Sequence, residues 1–243
     1  MAAPVGQQMT EGPEAQPYSV APRFYPPAEE RLNILSHATG LVLSMVGLVF
    51  LVSRAATLGT TMHVVSFAIF GASLVLLYAS STIYHSSTDP AARIRLRTVD
   101  HAAIYILIAG SYTPFTLVVL HGTVGWIMFA ASWGMAAIGI VLKLFFTGRF
   151  NLISTLMYVF MGWVIVFAIK PLAAALSSDG IFWLIAGGLS YTLGAAIYAI
   201  KKIPFGHAVF HFFVLGGSAC HFVAVYFYIL PVGAALALRP IAL

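Results

Sequence analysis

His207 and His211 stand four residues apart at the opening of the last long apolar segment of the chain. Four residues is about one helical turn, roughly 6 Å of rise, so both side chains share a face. Such a pair can chelate one metal ion from a single helix. Two further ionisable residues, His85 and Asp100, fall at ends of apolar segments that should lie on the same side of a bilayer. Ser81 precedes His85 by one turn and shares its face. Five polar residues far apart in sequence are therefore expected at one depth. Ionisable groups inside a membrane are costly and mark a function or a partner. Zinc suits this set, because it takes neutral imidazoles and three of them leave a fourth position for water. Asp100 could hold that water or accept its proton. The spacing leaves one alternative open, in which the same residues only hydrogen-bond helix to helix.

The elements that must position these residues are membrane spans. The chain is 60% hydrophobic and 8% charged, with a mean hydropathy of +0.95, against about 25% charged residues in soluble domains. It is expected to be an all-α, seven-helix integral membrane protein. Seven apolar stretches occupy about 33–53, 62–85, 99–120, 124–144, 152–170, 181–200 and 207–230, each near the roughly 20 residues that cross a hydrocarbon core. Asp89-Pro90, His121-Gly122, Thr147-Gly148, Ser178-Asp179-Gly180, Pro204 and Pro231 punctuate them. Pro114, inside the third, should kink it. Residues 1–30 read as a disordered tail, residues 31–232 as the membrane domain and 233–243 as a short C-terminal tail. The first 32 residues hold six of the twelve prolines and four of the seven acidic residues, and no signal peptide is evident among them.

Basic residues orient the spans. Arg23, Arg31, Arg93, Arg95, Arg97, Lys143, Arg149, Lys201 and Lys202 flank one side, and Arg54, Lys170 and Arg239 the other. Nine against three of the twelve predicts a cytoplasmic N-terminus and an external C-terminus. A net charge of +5 spread over such loops encodes topology and does not point to nucleic acid. Arg93, Arg95 and Arg97 are expected to meet anionic lipid headgroups. The single cysteine, Cys220, excludes an intramolecular disulfide.

At the level of motifs, Ser81-Thr82-Ile83-Tyr84-His85, the run from Asp100 through Tyr105 and Gly110 to Pro114, and His207-Ala208-Val209-Phe210-His211 resemble the bacterial hemolysin III proteins. These belong with the progestin and adipoQ receptors, and the resemblance covers residues from about 30 to 231. It implies that His85, His207 and His211 bind zinc, with Ser81 and Asp100 beside the bound water. It also implies an integral protein of the bacterial inner (plasma) membrane whose partners are lipids.

Three functions are compatible with these residues. One is a zinc-dependent hydrolase of acyl-amide or acyl-ester lipids, since related families with the same residue set include alkaline ceramidases. The second is a receptor or sensor with zinc as a structural clip. The third, implied by the family name, is a membrane-lysing protein. The last span has no lysine for a Schiff base, which excludes a retinal protein. Among the other histidines, His37 and His101 are candidates to support the ligands. His221 lies about 15 Å deeper than His211. His63 and His121 are expected to be solvated at the outer surface.

Overall fold

A computed structural model of the chain describes residues 21–146, 151–200 and 202–230. Among the described residues there is no strand, and seven helical spans are long and apolar enough to cross a membrane. They comprise α1 (Pro27–Leu58), α2 (Thr61–Ser86), α3 (Pro90–Pro114), α4 (Gly122–Phe146), α5 (Asn151–Trp163), α6 (Ile169–Ala175), α7 (Ser178–Ala199) and α8 (Gly206–Val223). A 3₁₀ segment, Val164–Ala168, joins α5 and α6 into one span. The expected tail up to residue 20, the expected C-terminal tail, and Arg149, Lys201 and Arg239 lie outside the described residues.

Both ends that matter for function begin earlier than apolar length suggests. α1 starts at Pro27, not near residue 33. Proline at the first helical position needs no amide partner, and Glu29 and Glu30 in the first turn complement the helix dipole. Those residues therefore belong to a helix and not to a tail. α3 starts at Pro90, not near residue 99, because Asp89 caps it by accepting from the Ala92 amide at 2.6 Å. Arg93, Arg95 and Arg97 are helical, and Asp100 lies about 15 Å inside α3 instead of opening it.

Proline also shapes two spans internally. Beyond Pro114 the third span opens into a π-helical segment, Phe115–Leu120. Thr113 and Thr116 hydroxyls cap the carbonyls of Ala109 and Tyr112 there, which makes the irregular winding tolerable in lipid. The fifth span continues past Lys170 to Ala175. Pro171 cannot donate to the preceding turn, and the helix tightens to 3₁₀ just before it. The Tyr112 hydroxyl repairs this break: its hydrogen is shared by the carbonyls of Met161 (3.0 Å) and Gly162 (2.8 Å), and its oxygen accepts from the Ile165 amide (3.0 Å).

The spans form a ring in which α1 packs against both α2 and α8. Ser36, Gly40, Ser44 and Gly47 make that possible, since a stripe of small residues lets helices approach closely. A Cβ on Gly40 would lie 2.6 Å from the Tyr78 ring and 2.8 Å from Leu215. This seam brings the end of α2 to the start of α8. Large apolar side chains such as Leu43, Phe145, Phe167 and Phe182 face outward, toward lipid. His63 is not solvated as expected. It is buried and closes a capping box with Thr60, whose amide lies 3.1 Å from its Nδ1.

Candidate metal centre

Each member of the cluster owes its place to a helix end. His85 sits in the last turn of α2. His207 and His211 occupy the first and second turns of α8, where the Glu29 carboxylate caps the helix by accepting from the His207 amide at 3.1 Å. All three imidazoles are buried. His207 Nε2 lies 3.1 Å from His85 Nε2 and 3.1 Å from His211 Nε2. One ligand atom from each of the three falls within 4.8 Å of the others, close enough to hold a metal ion.

Ser81, His37 and Asp100 surround this trio. The Ser81 hydroxyl is 2.7 Å from His37 Nδ1, and Asp100 reaches the same hydroxyl through its side chain. The His37 ring stacks flat on His211, with centroids 3.5 Å apart. His101 does not join the imidazoles; its carbonyl accepts from the Tyr158 hydroxyl at 3.0 Å. His221 also stays apart, its Nε2 3.3 Å from the Leu184 carbonyl and its ring against Tyr191.

Several residues here escaped the reading of motifs. Glu30 Oε2 is 2.9 Å from His85 Nδ1, and Oε1 pairs with Arg93. Arg93 is 1% exposed, so it does not meet headgroups as expected. Its guanidinium donates to the carbonyls of Tyr84 (3.2 Å), His85 (3.2 Å) and Ser87 (2.7 Å), the last carbonyls of α2, and to Arg23 (2.7 Å). Ser36 Oγ is 3.3 Å from His211 Nδ1. Tyr25 stacks on His207 at 4.5 Å, and burial pushes its phenol far above the usual range. The available signal was Glu30 and Asn33 at helical spacing beside a span; the Asn33 amide donates to Glu30 at 3.1 Å.

A cavity of about 320 Å³ opens from this cluster. His37, Ser81, Asp100, His207 and His211 line one end, and the third span lines it from Asp100 to Phe115, roughly 22 Å along its axis. The walls are mostly apolar, with Leu107, Ile108, Trp163, Ile185 and Val214 among them. A metal ion at the histidines would therefore stand at the polar head of an apolar slot.

Comparison with known proteins agrees with this architecture. A family model described as "Haemolysin-III related" matches residues 26–222. The chain is 50% identical to the Hemolysin-3 homolog of Bacillus subtilis (strain 168), over 82% of this chain and 94% of that protein. It is 46% identical to Hemolysin-3 of Bacillus cereus over 84% of this chain and 93% of that protein. Monocyte to macrophage differentiation factor of Homo sapiens is 30% identical over 66% of this chain and 69% of its own length.

Proposed function

The chain belongs to the haemolysin-III-related family, within the progestin and adipoQ receptor superfamily, and on that premise we propose a zinc-centred hydrolase of acyl-amide or acyl-ester lipids. What supports this reading is a cluster of three imidazoles, two of which, His207 and His211, line an apolar cavity together with Ser81 and Asp100. A structural clip between helices would not require the cavity.

The donor set fits zinc. Imidazole nitrogens about 2.0–2.1 Å from a tetrahedral ion stand about 3.3 Å from one another, close to the 3.1 Å of both Nε2 pairs. Two imidazoles that present Nε2 to each other need a shared cation or a proton between their lone pairs. Held by His85, His207 and His211, zinc would polarise an acyl carbonyl and bring the pKa of a water toward neutrality.

The chain's own groups carry the remaining steps. Asp100 takes one proton from the attacking water and returns it to the departing amine or alkoxide, so a C–N or C–O bond is exchanged for C–OH. Ser81, placed between His37 and Asp100, turns its hydroxyl toward the developing oxyanion. The slot holds the acyl chain: one leaflet's share of the hydrocarbon core is about 15 Å, and the third span lines the slot for roughly 22 Å. The excess of basic residues supports a cytoplasmic-leaflet site in a bacterial plasma membrane.

The test is product release from a panel of N-acyl and O-acyl lipids by detergent-purified protein, with and without chelator. Product should form, and chelator or any of His85→Ala, His207→Ala and His211→Ala should abolish it. Asp100→Asn should keep its metal yet lose about 10²–10⁴-fold in rate, the usual worth of a general base. A metal-loaded wild type that cleaves none of these lipids would overturn the hydrolase in favour of a sensor. Leakage of liposomes without cleavage would favour a lytic protein.

A further inference from the structure

The three imidazoles are not held alike. Ser36 Oγ lies 3.3 Å from the Nδ1 of His211, and among the described residues the Nδ1 of His207 has no hydrogen-bond partner. Among the described residues, only the His85 side chain of the three meets a carboxylate, at 2.9 Å from Glu30 Oε2. That contact is built and not incidental. Glu30 is gripped by Arg93 through its other oxygen and by the Asn33 amide at 3.1 Å. Arg93 in turn is fixed by four backbone carbonyls, three of them from the end of the helix that carries His85. The side chains of His85 and Arg93 are almost wholly buried, and that of Glu30 is 15% exposed.

From this we infer that Glu30 is the positioning residue of the metal centre, with Arg93 as its anchor. The inference rests on the metal reading of the three histidines. A carboxylate facing Nδ1 keeps the proton on that nitrogen, so Nε2, 3.1 Å from His207 Nε2, has its lone pair free for a metal shared with the other two imidazoles. It also fixes the ring's rotation and makes Nε2 a stronger donor, as carboxylates behind metal-bound histidines generally do. Because Glu30 stands on α1 and His85 on α2, the site needs the start of α1 in register with the end of α2. The acidic pair at the start of α1 thus divides its work, with Glu29 capping α8 and Glu30 aiming His85.

The experiment measures zinc affinity of the purified full-length protein by competition with a chromophoric chelator, together with the visible spectrum of the cobalt-loaded form. Glu30→Ala should weaken zinc binding about 10–100-fold, the usual cost of losing a group behind a ligand, and should alter the cobalt bands. Glu30→Gln, whose amide oxygen can still accept from Nδ1, should lose less and keep bands closer to wild type. His221→Ala should match wild type, since its ring lies about 15 Å farther along α8 than His211. A folded Glu30→Ala or Glu30→Gln protein with wild-type affinity and unchanged bands would overturn the inference. Should Glu30→Ala fail to fold, Glu30→Gln decides alone. A wild-type protein that binds neither metal would instead refute the metal reading itself.

Discussion

Replacing Arg93 by methionine distinguishes a buried organiser from a headgroup contact. The guanidinium is 1% exposed, pairs with Glu30, and donates to carbonyls at the end of α2. It also lies 4.4 Å from the centre of the Phe24 ring and 4.8 Å from that of Tyr84. Methionine keeps much of the apolar stem but leaves Glu30 without its cation and the carbonyls of Tyr84, His85 and Ser87 without their donor. Removing one partner of a buried ion pair costs about 3–5 kcal/mol, whereas surface substitutions stay within about 0.5 kcal/mol. Arg93→Lys should fall between, since an ammonium keeps the charge but cannot fork between carboxylate and carbonyls. Denaturant titration in detergent, followed by tryptophan fluorescence, gives the stabilities. A double-mutant cycle with Glu30→Gln completes the test, because that change removes the stranded carboxylate. The two changes should be non-additive by about 1 kcal/mol or more, as expected for residues in one network. Additive effects, or an Arg93→Met protein within about 0.5 kcal/mol of wild type, would refute the organiser role and restore the headgroup reading.

Tyr112→Phe removes the hydroxyl that serves three backbone groups at the break in the fifth span, leaving buried polar groups unpaired at a cost of about 1–3 kcal/mol. Amide hydrogen exchange should quicken at Ile165, whose amide donates to that hydroxyl, and unchanged protection there would contradict the assignment. For orientation, a reporter active only in the cytoplasm should give signal when inserted at Thr88, between α2 and α3, and none when fused after Leu243. Signal at the C-terminus would contradict the orientation or the count of seven spans.

The convergence of His85, His207 and His211 was legible because apolar segment ends set depth and the four-residue step sets the helical face. His37 followed from depth alone. Glu30 was not legible, because the proline- and acid-rich composition around it describes a tail, while helix initiation at Pro27 depends on a local position that composition does not report. Arg93 was misread for a related physical reason. Hydropathy marks where a helix enters lipid, not where its hydrogen bonding begins, and α3 runs from Pro90 for several residues before it becomes apolar. The 3₁₀ break in the fifth span had a visible signal in Pro171, but its repair by Tyr112 joins residues some fifty positions apart and arises only from packing.

The Nε2 atoms of His85 and His207 meet across 122 residues of chain. At about 5–20 residues per second, a ribosome takes roughly 6–24 s to make that stretch. Arg23 and Glu30 precede that stretch and Arg93 lies only 8 residues beyond His85, so the ion-paired half of the centre is complete once α3 has been made. The last span then delivers both remaining histidines together, in its first two turns. A metal ion held by all three histidines would therefore be retained only late in biogenesis, and its retention would report that the final helix has docked beside the first.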